Sequence, residues 1–190
     1  MKKIAIAYEV VQSDREYLLA RVALVDENLS CIYDKFVAPS GQVTNYRTPR
    51  TGITEDTLRD APSFEQVREE VANLISGCLL IGHSIVDIKK TTFICFWTNI
   101  DDMTDLVHLG TFGLDHPDDN MRDVAYYRTF RPNAMFQMNS IGQLKYVYGG
   151  RPSLKDLAWR ILKERIPNGD TVEAAKAAMK LYLSVASKWQ

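Results

Sequence analysis

The sequence lacks any run of apolar residues long enough to cross a bilayer. Its longest, around Thr92 to Trp97, falls far short of the roughly 20 residues that a spanning helix needs. The amino terminus has no signal-peptide layout, so a soluble, intracellular protein with no membrane association is expected. Cysteine is scarce and odd in number: Cys31, Cys78 and Cys95 show no paired metal-ligand spacing, and so long a chain is not a typical disulfide scaffold. All three are expected to be buried thiols. An excess of charge is missing too, with 23 Lys plus Arg against 24 Asp plus Glu and a net charge of -1. Such a balance exerts no global pull on phosphates, and any contact with nucleic acid must come from a local patch. There is no internal repeat and no Lys/Arg-rich cluster of the nuclear-localisation kind. What is present is a hydrophobic content of 46% in 190 residues, enough for one domain, residues 1–190, with a real core.

Residues 3–10 alternate Ile4, Ile6, Tyr8 and Val10 against Ala5, Ala7 and Glu9. Residues 17–25 and 30–37 are also rich in strand formers, so a three-strand meander is expected, followed by a polar loop from Gly41 to Thr51. Ser63 with Gln66 forms a capping-box pattern before Phe64, Val67, Val71, Leu74 and Ile75 at helical spacing, and Gly77 supplies a stop. Cys78 to Ile81 suits a buried fourth strand ending at Gly82 and His83. Ser153 caps a second helix through Leu154, Leu157, Ala158, Ile161 and Leu162, and Val172 to Trp189 reads as a third. Residues 85–103 fit neither period, and insertions are expected near 88–103 and 132–150, the latter as a long loop.

Several strings, in a fixed order, resemble the DEDD 3′-to-5′ exonucleases, in the branch of ribosomal-RNA-processing and interferon-stimulated RNA exonucleases. Residues 5–11, AIAYEVV, resemble the family's first motif, an Asp and a Glu two residues apart on the first strand. Residues 20–26 and 33–39 are similar to its second and third strands, Tyr46-Arg47-Thr48 with Thr51-Gly52-Ile53-Thr54 to the following loop, and Gly82-His83 to its next strand end. His116-Pro117 with Arg122-Asp123, residues 152–157 (PSLKDL) and residues 171–179 (TVEAAKAAM) match later segments. The resemblance implies an α/β, RNase H-like exonuclease fold, a mixed sheet with a three-strand meander flanked by helices. It also implies nuclear or nucleolar residence.

Two-metal phosphodiester hydrolysis needs several carboxylates converging on two divalent ions about 4 Å apart. Positions two apart on a strand face the same way, so residues 7 and 9 would present a carboxylate pair; here they are Ala7 and Glu9. By the resemblance, the last metal acid falls on Ala174 and the general-base histidine on Gly169. The second acid falls on Asp87, one place early, or on Asp105 after an insertion. Asp170 and Glu173 are near, but a helical step turns a side chain by about 100°, and they are not expected to replace the missing groups. Glu9 is then the one remaining metal ligand of the first motif, and no cofactor is expected. His83, His108 and His116 share no metal-ligand spacing.

The first reading is accordingly a pseudoenzyme whose groove or insertions bind RNA or a protein partner. The aromatic and basic residues Arg122, Tyr126, Tyr127, Arg128, Phe130 and Arg131 could stack bases and contact phosphates, or belong to the core. Met135, Phe136 and Met138 offer a protein-docking patch or simple loop anchors. A second reading is an active RNA exonuclease using magnesium or manganese, seen with alanines engineered at 7 and 174. A third is a pure protein-protein scaffold.

Overall fold

A computed structural model describes residues 1–14, 16–85, 113–131, 135–138, 144–147 and 152–189. Strands β1 (Lys3–Gln12), β2 (Tyr17–Asp26) and β3 (Cys31–Phe36) form the expected antiparallel meander. Strands β4 (Leu79–Gly82) and β5 (Met121–Asp123) add to it in parallel, giving a five-stranded mixed sheet of order β3-β2-β1-β4-β5. β1 therefore lies at the centre.

The alternation along β1 separates two cores. Ile4, Ile6 and Val10 pack with Val22, Leu24 and Leu80 against Val67, Val71 and Ile75 of helix α3 (Phe64–Ile75). Ala5 faces the other way, with Val25 and Ile81, toward Ala175, Ala178, Met179 and Leu181 of helix α5 (Thr171–Val185). Small residues on both partners let α5 lie close to the sheet, while the alanine run also favours helix. The register of β1 and β2 shifts after Glu9 pairs with Arg21, leaving Ala20 as the extra residue of a bulge.

Helix α1 (Thr48–Thr51), with Pro49 in its first turn, occupies the end of the segment expected as a polar loop. Helix α2 (Glu55–Arg59) follows behind a Thr54–Thr57 capping box. Both are too short to display an apolar period, so pattern alone misses them. Ser63 caps α3 as expected, accepting from the Gln66 N–H, whereas the Gln66 amide donates to Glu70. Gly77, at φ 67°, takes the left-handed conformation that ends the helix. Ser153 caps α4 (Leu154–Leu157), which runs into a π-helical turn over Ala158–Leu162. α5 stops at Val185, and the last expected turn tightens to a 3₁₀ helix at Ala186–Lys188.

Three further expectations change. Cys31 lies exposed on edge strand β3, whereas Cys78 is buried; Cys95 lies outside the described residues. Within 132–150, β6 (Met135–Met138) pairs antiparallel with β7 (Leu144–Val147), so that segment carries a ladder of its own. The insertion expected near 88–103 falls outside the described residues. Among those described, no helix is long and apolar enough to cross a membrane.

Buried Asp123 ties the end of β4 in place. Its carboxylate accepts from the backbone N–H groups of Ser84 (2.8 Å), Ile85 (2.8 Å) and Ala125 (3.0 Å). Ser84 sits at φ 57°, a conformation costly for a residue with a Cβ. Asp123→Ala strands three buried donors at once and is expected to reduce the unfolding free energy by about 3–5 kcal/mol. Urea denaturation measures this, and Asp123→Asn, which keeps one acceptor, should lose less.

Candidate functional site

One cleft opens at the carboxyl ends of the parallel strands β1 and β4, the usual place for a site in such a sheet. Ala7 and Glu9 enter it from β1, His83 and Ser84 from the end of β4, and Ala174 from the first turn of α5. Arg47 and Arg50 border it beside α1, Lys155 borders it from α4, and Gly169 with Asp170 closes the side before α5. Four positions picked out by the sequence, 7, 9, 169 and 174, thus share one cavity.

Glu9 is half-buried, and burial pushes its carboxyl above the usual carboxylate range against the pull of Arg50, Arg47, Lys155 and Arg21. Arg21, opposite Glu9 in the strand register, makes a bidentate pair with Asp34 at 2.9 and 2.8 Å. Its remaining nitrogen donates to the Gly169 carbonyl at 3.0 Å. The Lys155 ammonium donates to Asn168, whose amide reaches the Pro49 carbonyl at 3.5 Å. These contacts fasten the turn before α5 to both β2 and α1.

The turn at Gly169 leaves no room for a side chain. At φ 72° its backbone is left-handed, and a Cβ would lie 2.4 Å from the Thr51 carbonyl oxygen. A general base at this position requires the turn to move away from α1. His83 is engaged elsewhere, with Nε2 2.8 Å from the Pro152 carbonyl oxygen and Nδ1 3.3 Å from the Ser84 hydroxyl. His116 is buried, 3.0 Å from the Cys78 carbonyl oxygen.

Among the described residues, the side chains around the cleft do not supply the donor set that the divalent ions implied by the resemblance need. Ala7 and Ala174 offer no donor. The Asp170 carboxylate caps α5 by accepting from the Glu173 N–H at 2.9 Å, and Glu173 pairs with Lys176 at 2.7 Å. Among the described residues no group of three His, Cys, Asp or Glu could hold a metal. Asp87, Asp105 and His108 lie outside the described residues.

The aromatic and basic stretch does not line the cleft. Tyr127 stacks on Trp189 at 4.6 Å and meets Phe130 edge-on at 4.9 Å, packed against the α5 core. Arg122 donates to the carbonyls of Asp119 and Met121, and Arg131 lies 5.0 Å over the Tyr126 ring. Arg128 is exposed. Met135, Phe136 and Met138 stand on β6, with side chains outside what is described. Of the cations that do border the cleft, Arg47 and Lys155 lie in strings that the sequence marked only as family-like and Arg50 lies between two of them; the three-residue spacing of Arg47 and Arg50 around Pro49 is the signal available for that pair.

Two outcomes follow from this geometry. The native state favours the protonated form of Glu9, so its ionisation costs stability as pH rises above the ordinary value of 4.5. Glu9→Gln should raise Tm at neutral pH, and the gain should vanish as pH falls below that value, in melts run across the acid range. Gly169→Ala should lower the unfolding free energy by about 1–3 kcal/mol, from backbone strain and contact with Thr51; denaturant titration checks this.

The comparisons agree with this architecture. The chain is 32% identical over 194 residues to RNA exonuclease 4 of Mus musculus, a match spanning all of this chain and 37% of that protein. It is 36% identical over 178 residues to RNA exonuclease 4 of Mycosarcoma maydis, spanning 92% of this chain and 39% of the relative. The chain thus spans little more than a third of the length of these curated relatives. Among solved structures, the Pan2 catalytic unit (protease and nuclease domain) of Neurospora crassa superposes with a TM-score of 0.66 at 21% identity, over 98% of this chain and 27% of that one. This likeness shows the fold, a mixed sheet flanked by helices of the RNase H-like exonuclease type. The model of the Exonuclease family matches residues 8–182, from the strand that carries Glu9 to the helix that carries Ala174, and the chain belongs to that family.

Proposed function

We propose that this domain is an RNA 3′-to-5′ exonuclease fold that receives the 3′ end of single-stranded RNA in the Glu9 cleft, with its hydrolytic step disabled by alanine at positions 7 and 174. The observation that carries the reading is the convergence of Ala7, Glu9 and Ala174 in one cleft bordered by Arg47, Arg50 and Lys155. The three cations suit a phosphate backbone, and two missing carboxylates account for the lost metal site. Relatives named RNA exonuclease 4 along the whole chain favour an RNA nuclease over a protein scaffold. Solved relatives of this fold include a Saccharomyces cerevisiae Pan2 module in complex with AAUUAA RNA, matched at a TM-score of 0.63 and 21% identity.

A second reading, a module that only binds, is favoured by one feature. Gly169 is built into the contact with Thr51, so the general-base position is closed by packing as well as by substitution. The two readings separate in a single experiment. The chain itself should bind single-stranded RNA and leave it intact in manganese. The double variant Ala7→Asp with Ala174→Asp should bind manganese and trim RNA from its 3′ end, at a rate about 10²- to 10⁴-fold below that of a nuclease with its base in place. Manganese binding without trimming supports the binding-only module. Trimming by the unaltered chain, at a rate independent of preparation, contradicts the assignment of the lost step to positions 7 and 174.

A further inference from the structure

Trp159 is 55% exposed, the most exposed aromatic side chain among the described residues, on a domain whose other large apolar groups are mostly buried. It stands in the π-helical turn that continues α4, one turn beyond Lys155, and residues four apart share a face. Lys155 borders the cleft. The Arg165 guanidinium lies 5.2 Å from the centre of the Trp159 ring, and the next two residues, Ile166 and Pro167, also line the cleft. The indole is therefore flanked along the chain, on both sides, by segments that form the wall of the proposed RNA site.

We infer that Trp159 and Arg165 form a stacking platform for a nucleobase upstream of the RNA 3′ end, just outside the cleft. This inference rests on the reading of the cleft as an RNA site and adds a subsite to it. An indole that is 55% exposed offers π-surface that every base can stack on, and the Arg165 guanidinium over its ring adds a cation that suits the adjoining phosphate. The charge around it points the same way. Lys155, Arg160, Lys163 and Arg165 are exposed near the platform, against Asp156 and Glu164, and Glu164 is paired with Lys180 at 2.7 Å. Such a surface suits a polyanion better than an acidic or neutral protein face.

The test measures affinity of the full chain, by anisotropy in metal-free buffer, for a 5′-labelled adenylate trinucleotide and for a dodecanucleotide. Trp159→Ala should weaken the dodecanucleotide about tenfold, a loss typical of one stacked base, and leave the trinucleotide unchanged. Trp159→Phe should recover most of the affinity. Equal weakening of both probes would place the residue within the cleft and overturn an upstream platform. Normal binding of both probes by Trp159→Ala, with Lys155→Ala weakening both, would sink the platform while the cleft reading survives. Failure of the unaltered chain to bind either probe defeats the cleft reading and the platform with it.

Discussion

The close approach of α5 to β1 is the constraint on which the rest of this structure depends. The odd-numbered face of β1 carries Ala5 and Ala7, and α5 answers with Ala175 and Ala178, so little side-chain bulk separates helix from sheet. The opposite face carries Ile4, Ile6 and Val10 and holds α3 against the sheet. A large residue at position 5, which is fully buried, would overpack this core, and overpacking commonly costs about 1–3 kcal/mol. The approach also brings Ala7 and Ala174 into one cleft. The geometry that could gather carboxylates around metal ions follows from the packing of small residues, whether or not carboxylates occupy it.

A second layer of contacts shapes the cleft wall. Arg21 joins Asp34 of β3 to the Gly169 carbonyl, and Lys155 with Asn168 continues the tie toward Pro49. Asp123 does the same on the other side by holding the turn after β4. All but the Asn168–Pro49 contact are charge-assisted hydrogen bonds, and together they hold the loops around the cleft. The recess lies next to Glu9, and positions 7 and 174 in its wall carry alanine. The recess is bordered by the cations Arg47, Arg50 and Lys155.

The site was partly legible before the structure. Ala7 with Glu9 follows from strand periodicity, and the family-like strings brought Gly169 and Ala174 into the same argument. Asp170, which lines the cleft, caps α5, and Glu173 pairs with Lys176, engagements that the sequence did not show. The cations that border the cleft were less legible. Arg122 to Arg131 looks like a nucleic-acid surface in one dimension, yet Tyr127 is held by Trp189 and Phe130 and the stretch stands apart from the cleft. Lys155 and Trp159 carry no local pattern that distinguishes them from surface residues, and Arg47 and Arg50 only their spacing around Pro49.

Alternation in β1, the apolar spacing of α3 and α5, and the caps at Ser63 and Ser153 are consequences of local geometry, and the sequence alone determined them. Their periods are properties of strand and helix that need no partner. The sequence alone also determined that positions 7 and 174 carry no carboxylate. Only the tertiary structure decided which cations meet Glu9, that the turn at Gly169 closes on Thr51, and that Trp159 faces solvent. Those facts depend on contacts between residues far apart in the chain, such as Arg21 with Gly169, and their distances are set by how closely helix and sheet can pack.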